Sequence, residues 1–230
     1  MYFGKNLQVL RKMTGMTQEA LAEKMNVSRQ TVSKWETDSV YPEIDKLIEL
    51  CSLFNCSVDQ LLREDMSFSS EAYSEIRIVC IKSMRYIRYA VISRDPESDA
   101  ISHVRGWAQQ LDIADPEIIG WDFPMLSQEQ INVFHMHGYA AALVLPENKE
   151  IADVDAEVLS QPEQRYVVIT IKDPMAAPFV VIPNAYKALM MHIAINGIKD
   201  KRDSSVICCF EKEYCDADGV DCMDVYIAIE

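Results

Sequence analysis

The spacing of apolar residues changes once along this chain, and the change divides the chain into two parts. Up to about residue 64, apolar side chains recur every three or four positions, as in Leu7 and Leu10 or Val32 and Trp35, which is typical of helices with one buried face. After about residue 75, β-branched and aromatic residues form short runs that favour strands. A chain of 230 residues can hold two separate cores. We therefore predict a helical domain over 1–64, a polar linker over 65–75 and a second domain over 76–230.

The two parts also differ in charge. The whole chain has a formal net charge of −14, which alone disfavours nucleic acid, because phosphates are neutralised by clustered Lys and Arg. Residues 1–64, however, contain eight Lys and Arg against nine Asp and Glu, whereas the rest contains fourteen against twenty-seven. A nearly neutral first part and a strongly acidic second part indicate two domains with different partners.

Several features bear on the compartment and on cofactors. No apolar run reaches the roughly 18 to 20 residues of a membrane span, and the first residues lack the pattern of a signal peptide. The seven cysteines include no C-x-x-C pair, and His135 and His137 have no third ligand at zinc spacing. We expect a cytoplasmic protein with reduced cysteines, no metal and no cofactor.

Five short helices fit residues 1–64, and the residues between them suit helix ends. Thr17 and Ser28 are typical N-caps of the second and third helices, and Ser57 with Gln60 forms a capping box. Asn26 stands at the sharp corner between the second and third helices, where it can adopt a left-handed conformation. The first part is therefore predicted to be an all-α, five-helix domain.

The segment TQEALAEKMNVSRQTVSKWE, residues 17–36, resembles the helix-turn-helix of the Cro/XRE family of bacterial repressors. The resemblance covers about the first 64 residues and includes Gln18, the buried positions Val27 and Val32, and Trp35 before Glu36. It implies a domain that binds double-stranded operator DNA. Because one such domain presents few basic groups, a homodimer on a two-fold site is expected.

Within the third helix, Val32 and Trp35 face the core, which leaves the opposite side polar and open to a major groove. Arg can read guanine and Gln can read adenine there, while Lys can bind a base or a phosphate. Two further polar residues at helix N-termini resemble the phosphate-binding positions of the family. An exposed face on a protein-binding module is the alternative. The predicted DNA contacts are Gln18, Ser28, Arg29, Gln30, Ser33 and Lys34.

The second part is predicted to repeat the order strand, strand, helix, strand, strand. Strands are expected over 76–82, 84–93, 117–123, 131–145, 164–172, 178–183, 205–214 and 223–229, and helices over 98–112 and 184–197. A weak repeat aligns YAVIS (89–93) with FVVIP (179–183), ninety residues later. The prediction is an α+β domain of two pseudo-symmetric halves, with a ligand site between them.

Residues from about 74 to 230 resemble the GyrI-like effector-binding domain of multidrug-sensing regulators. The resemblance is carried by IIGWDFP (118–124), HGYAAALVLP (137–146), FVVIPNAYKALMMHI (179–193) and CFEKEYCDADGVDCMDVYIAI (209–229). It implies an aromatic-lined cleft in which a buried glutamate recognises lipophilic cations.

Strand alternation places Glu211 and Glu213 on one face, and either of them could be that glutamate. A Glu-Lys-Glu run also fits a solvated strand face, and Trp107 also fits the core side of its helix. By motif position the aromatic residues predicted near the cleft are Trp107, Trp121, Phe123, Tyr139 and Tyr186.

Together these features predict a ligand-responsive bacterial transcription regulator that is not an enzyme. One alternative is a hydrolase of reactive electrophiles, in which Glu211 or Glu213 acts with Tyr214 or Tyr139 as general acid and base. Another is a second domain that binds a protein.

Overall fold

Five helices form the first domain of the computed structural model, as the sequence predicts. The structure describes residues 2–63, 72–123, 126–147, 149–151 and 154–230. Most of the predicted linker, residues 65–71, lies outside the described residues. The helices are α1 (Phe3–Met13), α2 (Gln18–Lys24), α3 (Arg29–Glu36), α4 (Ile44–Leu53) and α5 (Val58–Arg63).

The predicted helix ends are present in the structure. The hydroxyl of Thr17 accepts a hydrogen bond from the amide of Ala20, and that of Ser28 accepts one from the amide of Thr31, both at 3.1 Å. Asn26 between α2 and α3 has a φ of 51°, the left-handed conformation that this corner requires. These local preferences explain why the turns of the domain could be located from the sequence.

A buried ion pair joins three helices of the first domain. Arg11 of α1 contacts Glu36 at the end of α3, with 2.5 Å between Nε and Oε1, and the two side chains are 10% and 2% exposed. The side-chain amide of Gln18, at the start of α2, donates to the other carboxylate oxygen at 2.9 Å. The pair therefore fixes α2 and α3 relative to α1, above a core that includes Phe3, Leu7, Leu21, Val32, Trp35, Leu50 and Phe54.

The second domain is an antiparallel sheet with its two long helices on one face. Its strands are β1 (Arg77–Ile81), β2 (Met84–Ser93), β3 (Ile118–Asp122), β4 (His137–Leu145), β5 (Val158–Gln161), β6 (Gln164–Lys172), β7 (Cys209–Cys215) and β8 (Asp221–Ile229). Its helices are α6 (Pro96–Gln110), the short α7 (Gln128–Asn132) and α8 (Pro178–Ile195).

The sheet has the strand order β1-β6-β8-β7-β3-β4-β2-β5, which is symmetric about the contact of β7 with β3. Each half of the sheet contains a strand–helix–strand–strand unit, β2-α6-β3-β4 or β6-α8-β7-β8. The two remaining strands are exchanged between the halves, because β1 pairs with β6 and β5 pairs with β2. The predicted order of two strand-strand-helix-strand-strand repeats is thus confirmed.

Four details of the prediction for the second domain are wrong. Residues 178–183 belong to α8, where Pro178 occupies the first turn, a position that suits proline. The repeat offset of ninety residues is therefore also wrong. The equivalent strands β2 and β6 begin at Met84 and Gln164, which are eighty residues apart. The run 131–145 forms a strand only from His137, since a capping box at Ser127 starts α7. The missed strand, β5, has only four residues.

The two faces of the sheet pack differently. On one face, α8 covers β6 and β8 while α6 covers β2 and β4, each over its own apolar cluster. The opposite face has a separate cluster around Tyr166, Phe210 and Tyr226. Residues 72–75, predicted as linker, run alongside β6, where the amide of Ser74 donates to Thr170. No helix of the described residues is long and apolar enough to cross a membrane.

We expect the substitution Glu36→Gln to lower the free energy of unfolding of the first domain by about 3 kcal/mol, because it leaves the buried guanidinium of Arg11 without its counterion. Chemical denaturation of the full chain, followed by circular dichroism, measures the change. In the matched control Asp59→Asn, the pair with Arg63 is exposed, and the loss should stay within about 0.5 kcal/mol. Equal losses in the two variants would contradict the assignment of a structural role to the buried pair.

Candidate functional site

The solvent-facing side of α3 forms a polar surface on the first domain. Val32 and Trp35 are 0% and 3% exposed, so the other side of the helix faces outward. A shallow depression of about 310 Å³ is lined there by Arg29, Gln30, Ser33 and Lys34. The structure thus brings together the four α3 residues that the sequence analysis selected.

The two other predicted DNA contacts occupy helix N-termini next to this surface. Ser28 is the exposed N-cap of α3, and its hydroxyl is engaged with Thr31. Gln18 begins α2, and its amide is held by the carboxylate of Glu36. Arg29 is tethered to α2 by an exposed ion pair with Glu19 at 2.8 Å. The sequence analysis missed the positioning of Gln18 by Arg11 and Glu36, since these residues are 25 positions apart.

The second candidate site is a cleft at the centre of the sheet in the second domain. Glu211 of β7 lies directly opposite Gly120 of β3, at the only register pair of these two central strands among the described residues. The phenol of Tyr186, from α8, donates to Glu211 Oε1 at 2.6 Å. Tyr139 of β4 reaches the same carboxylate from the other half. Both halves of the domain therefore contribute to the surroundings of Glu211.

Two glycines make room for the aromatic rings of the cleft. A Cβ atom added to Gly120 would lie 2.6 Å from Cζ of Tyr139, and one added to Gly138 would lie 2.7 Å from Cε2 of Phe123. Such distances are shorter than any allowed contact between carbon atoms. The rings of Tyr139 and Phe123 can approach the backbone of β3 and β4 this closely only because these positions have no side chain.

Two adjoining cavities occupy the cleft. The larger has a volume of about 620 Å³ and is lined by Phe123, Phe179, Tyr139, Glu97 and Asp122, among others. The smaller, of about 180 Å³, is lined by Glu97, Tyr139, Glu211 and Glu213. Glu97 and Tyr139 line both cavities, so a molecule in the aromatic larger cavity could reach the carboxylates of the smaller one. Phe179, at the start of α8, is 95% exposed and stands at the edge of the larger cavity.

Burial and neighbouring acids raise the pKa values of the carboxyl groups in the cleft. Burial raises the pKa of Glu211 to about 7, the hydrogen bond from Tyr186 opposes this, and Asp122 and Glu97 add to it. The pKa values of Glu97 and Asp122 are also raised, in both cases mainly by burial. The side chain of Glu211 is half-buried, because part of its surface faces the cavity. Its carboxyl group is nevertheless surrounded mostly by protein atoms, which is why burial has the largest effect on its pKa.

The basic residues around Glu211 leave it unpaired. The neighbouring Lys212 points to the opposite face of the sheet, where it pairs with Glu117 at 2.5 Å. Arg94 and Arg105 line the cavities, but the same walls carry five carboxyl groups. In the described parts of the chain, Glu211 makes no ion pair, and its partners are phenol groups. The cleft is therefore suited to a positively charged group.

The structure corrects two of the predicted cleft residues. Trp121 lies on the opposite face of the sheet, in the cluster with Phe210, because it alternates with Gly120 along β3. Trp107 is 8% exposed and packs in the core under α6, where its ring stands 4.8 Å from that of His103. By contrast, Phe123, Tyr139, Tyr186, Glu211 and Glu213 lie at the cleft.

The cleft residues that the sequence analysis missed include Glu97, Asp122 and Phe179. Strand alternation could have found Asp122, which is two positions after Gly120 and so shares its face. Glu97 belongs to the first turn of α6, more than a hundred residues before Glu211, and no sequence pattern links them. No three His, Cys, Asp or Glu side chains converge as metal ligands within the described ranges.

Comparison with known proteins identifies the first domain. Residues 7–61 match the model of the family HTH_3, described as Helix-turn-helix. The first domain is a helix-turn-helix domain. This confirms the Cro/XRE resemblance predicted for these residues. The HTH-type transcriptional activator BcrR of Enterococcus faecalis is 42% identical over 62 residues, which are 27% of this chain and 30% of BcrR. The chain spans about a third to a half of the length of the first relatives that it matches by sequence.

Two solved structures are similar to the second domain. The C-terminal domain of EcmrR is 15% identical, with a TM-score of 0.46, over 69% of this chain and 98% of that domain. SAV2435, solved bound to tetraphenylphosphonium, is 14% identical, with a TM-score of 0.41, over 68% of this chain and 94% of SAV2435.

The raised pKa of Glu211 predicts a pH-dependent effect of Glu211→Gln on stability. Between pH 4.5 and about 7 the folded chain retains a proton that the unfolded chain releases, so this carboxyl group lowers the free energy of unfolding as the pH rises. The variant should therefore gain stability relative to the native chain over this interval, by on the order of 3 kcal/mol at most. Denaturation curves at several pH values measure the difference.

The matched control is Glu213→Gln, two positions along the same strand face, where the carboxyl group is exposed. This variant makes the same change in charge outside the buried floor of the cleft. Its stability should follow the native profile with pH. Parallel profiles for the native chain and Glu211→Gln would mean that the carboxyl group of Glu211 is not destabilised by its surroundings.

Proposed function

We propose that this chain is an effector-responsive transcription regulator. Its helix-turn-helix domain binds operator DNA as part of a homodimer, and the cleft of its second domain binds a lipophilic cation. The observation that carries the sensing half of the proposal is Glu211, which makes no ion pair with any residue that the structure describes and lies where β7 meets β3, beside an aromatic cavity.

The polar side of α3 supports the DNA-binding half of the proposal. Arg29 and Gln30 are both exposed and adjacent, and side chains of these types can each make two hydrogen bonds to the edge of one base. Ser28 and Gln18, at helix N-termini, are suited to phosphate contacts. The family match of residues 7–61 agrees with this role. A homodimer doubles the few basic groups that one domain presents to the phosphates.

The cleft supports a cation of diffuse charge. A carboxylate withdrawn from water is costly, and a large organic cation offsets that cost without needing fixed hydrogen-bond geometry. The faces of Tyr139, Phe123 and Phe179 add cation–π attraction of about 0.5 to 2 kcal/mol each. A volume of about 620 Å³ for the larger cavity falls in the range of sites for small organic molecules.

We expect Arg29→Ala and Gln30→Ala each to weaken operator binding by about 1 to 3 kcal/mol, roughly 5- to 150-fold, because each removes contacts to a base edge. The measurement is fluorescence anisotropy, at one fixed salt concentration, with a duplex selected from a random library by the native chain. The control Arg63→Ala removes the same charge from α5, where the side chain is 80% exposed and pairs with Asp59. It should change affinity far less. Equal effects of Arg63→Ala and Arg29→Ala would refute the assignment of α3 as the reading helix.

We expect tetraphenylphosphonium to raise the melting temperature of the full chain, because a ligand that binds only the folded state stabilises that state. At a ligand concentration of a hundred times the Kd, the free energy of unfolding should rise by about 2.7 kcal/mol. Glu211→Gln should abolish most of this shift by removing the negative charge at the cleft floor. Glu213→Gln, with its exposed carboxyl group, should retain more of it. Triphenylphosphine oxide, a neutral molecule of similar shape, is the ligand control. An undiminished shift in Glu211→Gln would remove this residue from the proposed site.

A further inference from the structure

Helix α8 contacts both the cleft and the helix-turn-helix domain. Near its middle, Tyr186 donates its hydrogen bond to Glu211. Five residues later Met191, only 6% exposed, belongs to the apolar core of the first domain. In return, Met13 at the end of α1 packs against the cluster that α8 forms with the sheet. One helix therefore takes part in the cores of both domains.

The two contacts lie on different sides of α8. One side faces the sheet and carries Tyr186, with Leu189 three positions later and Ile193 seven positions later. Lys187 and Met191 are four positions apart, on another side, next to the first domain. Because a helix moves largely as a unit, a displacement of α8 at Tyr186 also displaces Met191.

The next residue, His192, contacts the turn between α1 and α2. A Cβ atom added to Gly15, which has a φ of 68°, would lie 3.8 Å from Cε1 of His192. Burial lowers the pKa of His192, and the nearby backbone of Thr14 opposes this lowering. Two residues beyond Gly15, Thr17 caps the helix that Gln18 begins. The contact thus lies next to a residue proposed to bind DNA.

A cavity beside this contact leaves space for movement. Its volume is about 740 Å³, and it lies between the domains. Its lining includes Gly15 and Gln18 from the first domain, and Tyr73 and His192 from the second. Interfaces with such space can accommodate helix shifts of about 1 to 2 Å.

We infer that α8 couples the cleft to the DNA-binding domain through Met191 and His192. A cation that takes the carboxylate of Glu211 competes with the phenol of Tyr186, shifts α8, and thereby moves the turn that precedes Gln18. This inference rests on the proposed function of the cleft. It assigns a positioning role to Met191 and His192, which act through α8 and not by direct contact with DNA or with the effector.

Hydrogen–deuterium exchange of the full chain tests the inference without knowledge of the operator. The amides of Thr14, Gly15 and Met16 are hydrogen-bonded to carbonyls of α1, so their exchange is slow enough to follow. Saturating tetraphenylphosphonium should change their exchange rates by at least about fivefold, the lower end of typical coupling between sites.

The variants Met191→Ala and His192→Ala should lose this change, while calorimetry shows tetraphenylphosphonium binding within about twofold of native, because the cleft is untouched. Met190→Ala is the matched control, since Met190 is 39% exposed and outside both cores. It should behave as the native chain does. If Met191→Ala fails to fold by circular dichroism, His192→Ala decides the test. Unchanged exchange in the native chain with the cation bound, or a retained response in the folded interface variants, overturns the inference.

A ligand-free arm separates failure of the inference from failure of the proposed function. Tyr186→Phe removes the hydrogen bond between α8 and Glu211, so it should alter exchange at Thr14 to Met16 by itself. In the double variant Tyr186→Phe/His192→Ala, this change in the exchange of Thr14 to Met16 should be absent. If tetraphenylphosphonium does not bind, the proposed cation sensing fails, and this arm still decides whether α8 couples the two regions. No effect of Tyr186→Phe in that case overturns the coupling.

Discussion

The burial of α8 on two sides is the constraint on which the arrangement of the molecule depends. Toward the sheet, Leu189 and Ile193 fill the space over β6 and β8, and toward the first domain Met191 completes a core of helices. Each side removes apolar surface from water, which favours one placement of the helix over others. A displacement of α8 at one of these contacts therefore also displaces the residues of the other contact. The position of Tyr186 is therefore linked to the position of the first domain.

The parts of the fold that local chemistry determines could be predicted from the sequence. Thr17, Ser28 and Asn26 satisfy requirements that arise within a few residues, so the ends of α2 and α3 were found where they occur. The segment 178–183 shows the limit of such reasoning. Its β-branched residues favour a strand, but Pro178 suits the first turn of a helix, and Val181, Ala185 and Leu189, each four positions apart along that helix, pack on the sheet. Tertiary packing overrides propensity there.

The candidate cleft could be predicted only in part, because its members come from both halves of the domain. Alternation along β7 correctly placed Glu211 and Glu213 together, since that relation is local. The proximity of Glu97 to Glu211 depends on how β3 meets β7 in the assembled sheet, which no short segment encodes. For Trp121 the local pattern was the better guide. Its motif position led to the prediction that it lies in the cleft, whereas alternation with Gly120 along β3 places its ring on the other face of the sheet.

The carboxyl group of Glu211 connects stability to binding. With a pKa raised to about 7, it is partly protonated near neutral pH, and only its ionised form attracts a cation. If the cleft binds a cation as proposed, the bound cation lowers this pKa, and by the same linkage its affinity rises as the pH increases toward 7 and levels off above it. In that case the positive charge offsets the destabilisation that burial imposes on the ionised carboxyl group. Tyr186 donates to this carboxyl group from α8, the helix that also contributes Met191 to the core of the first domain.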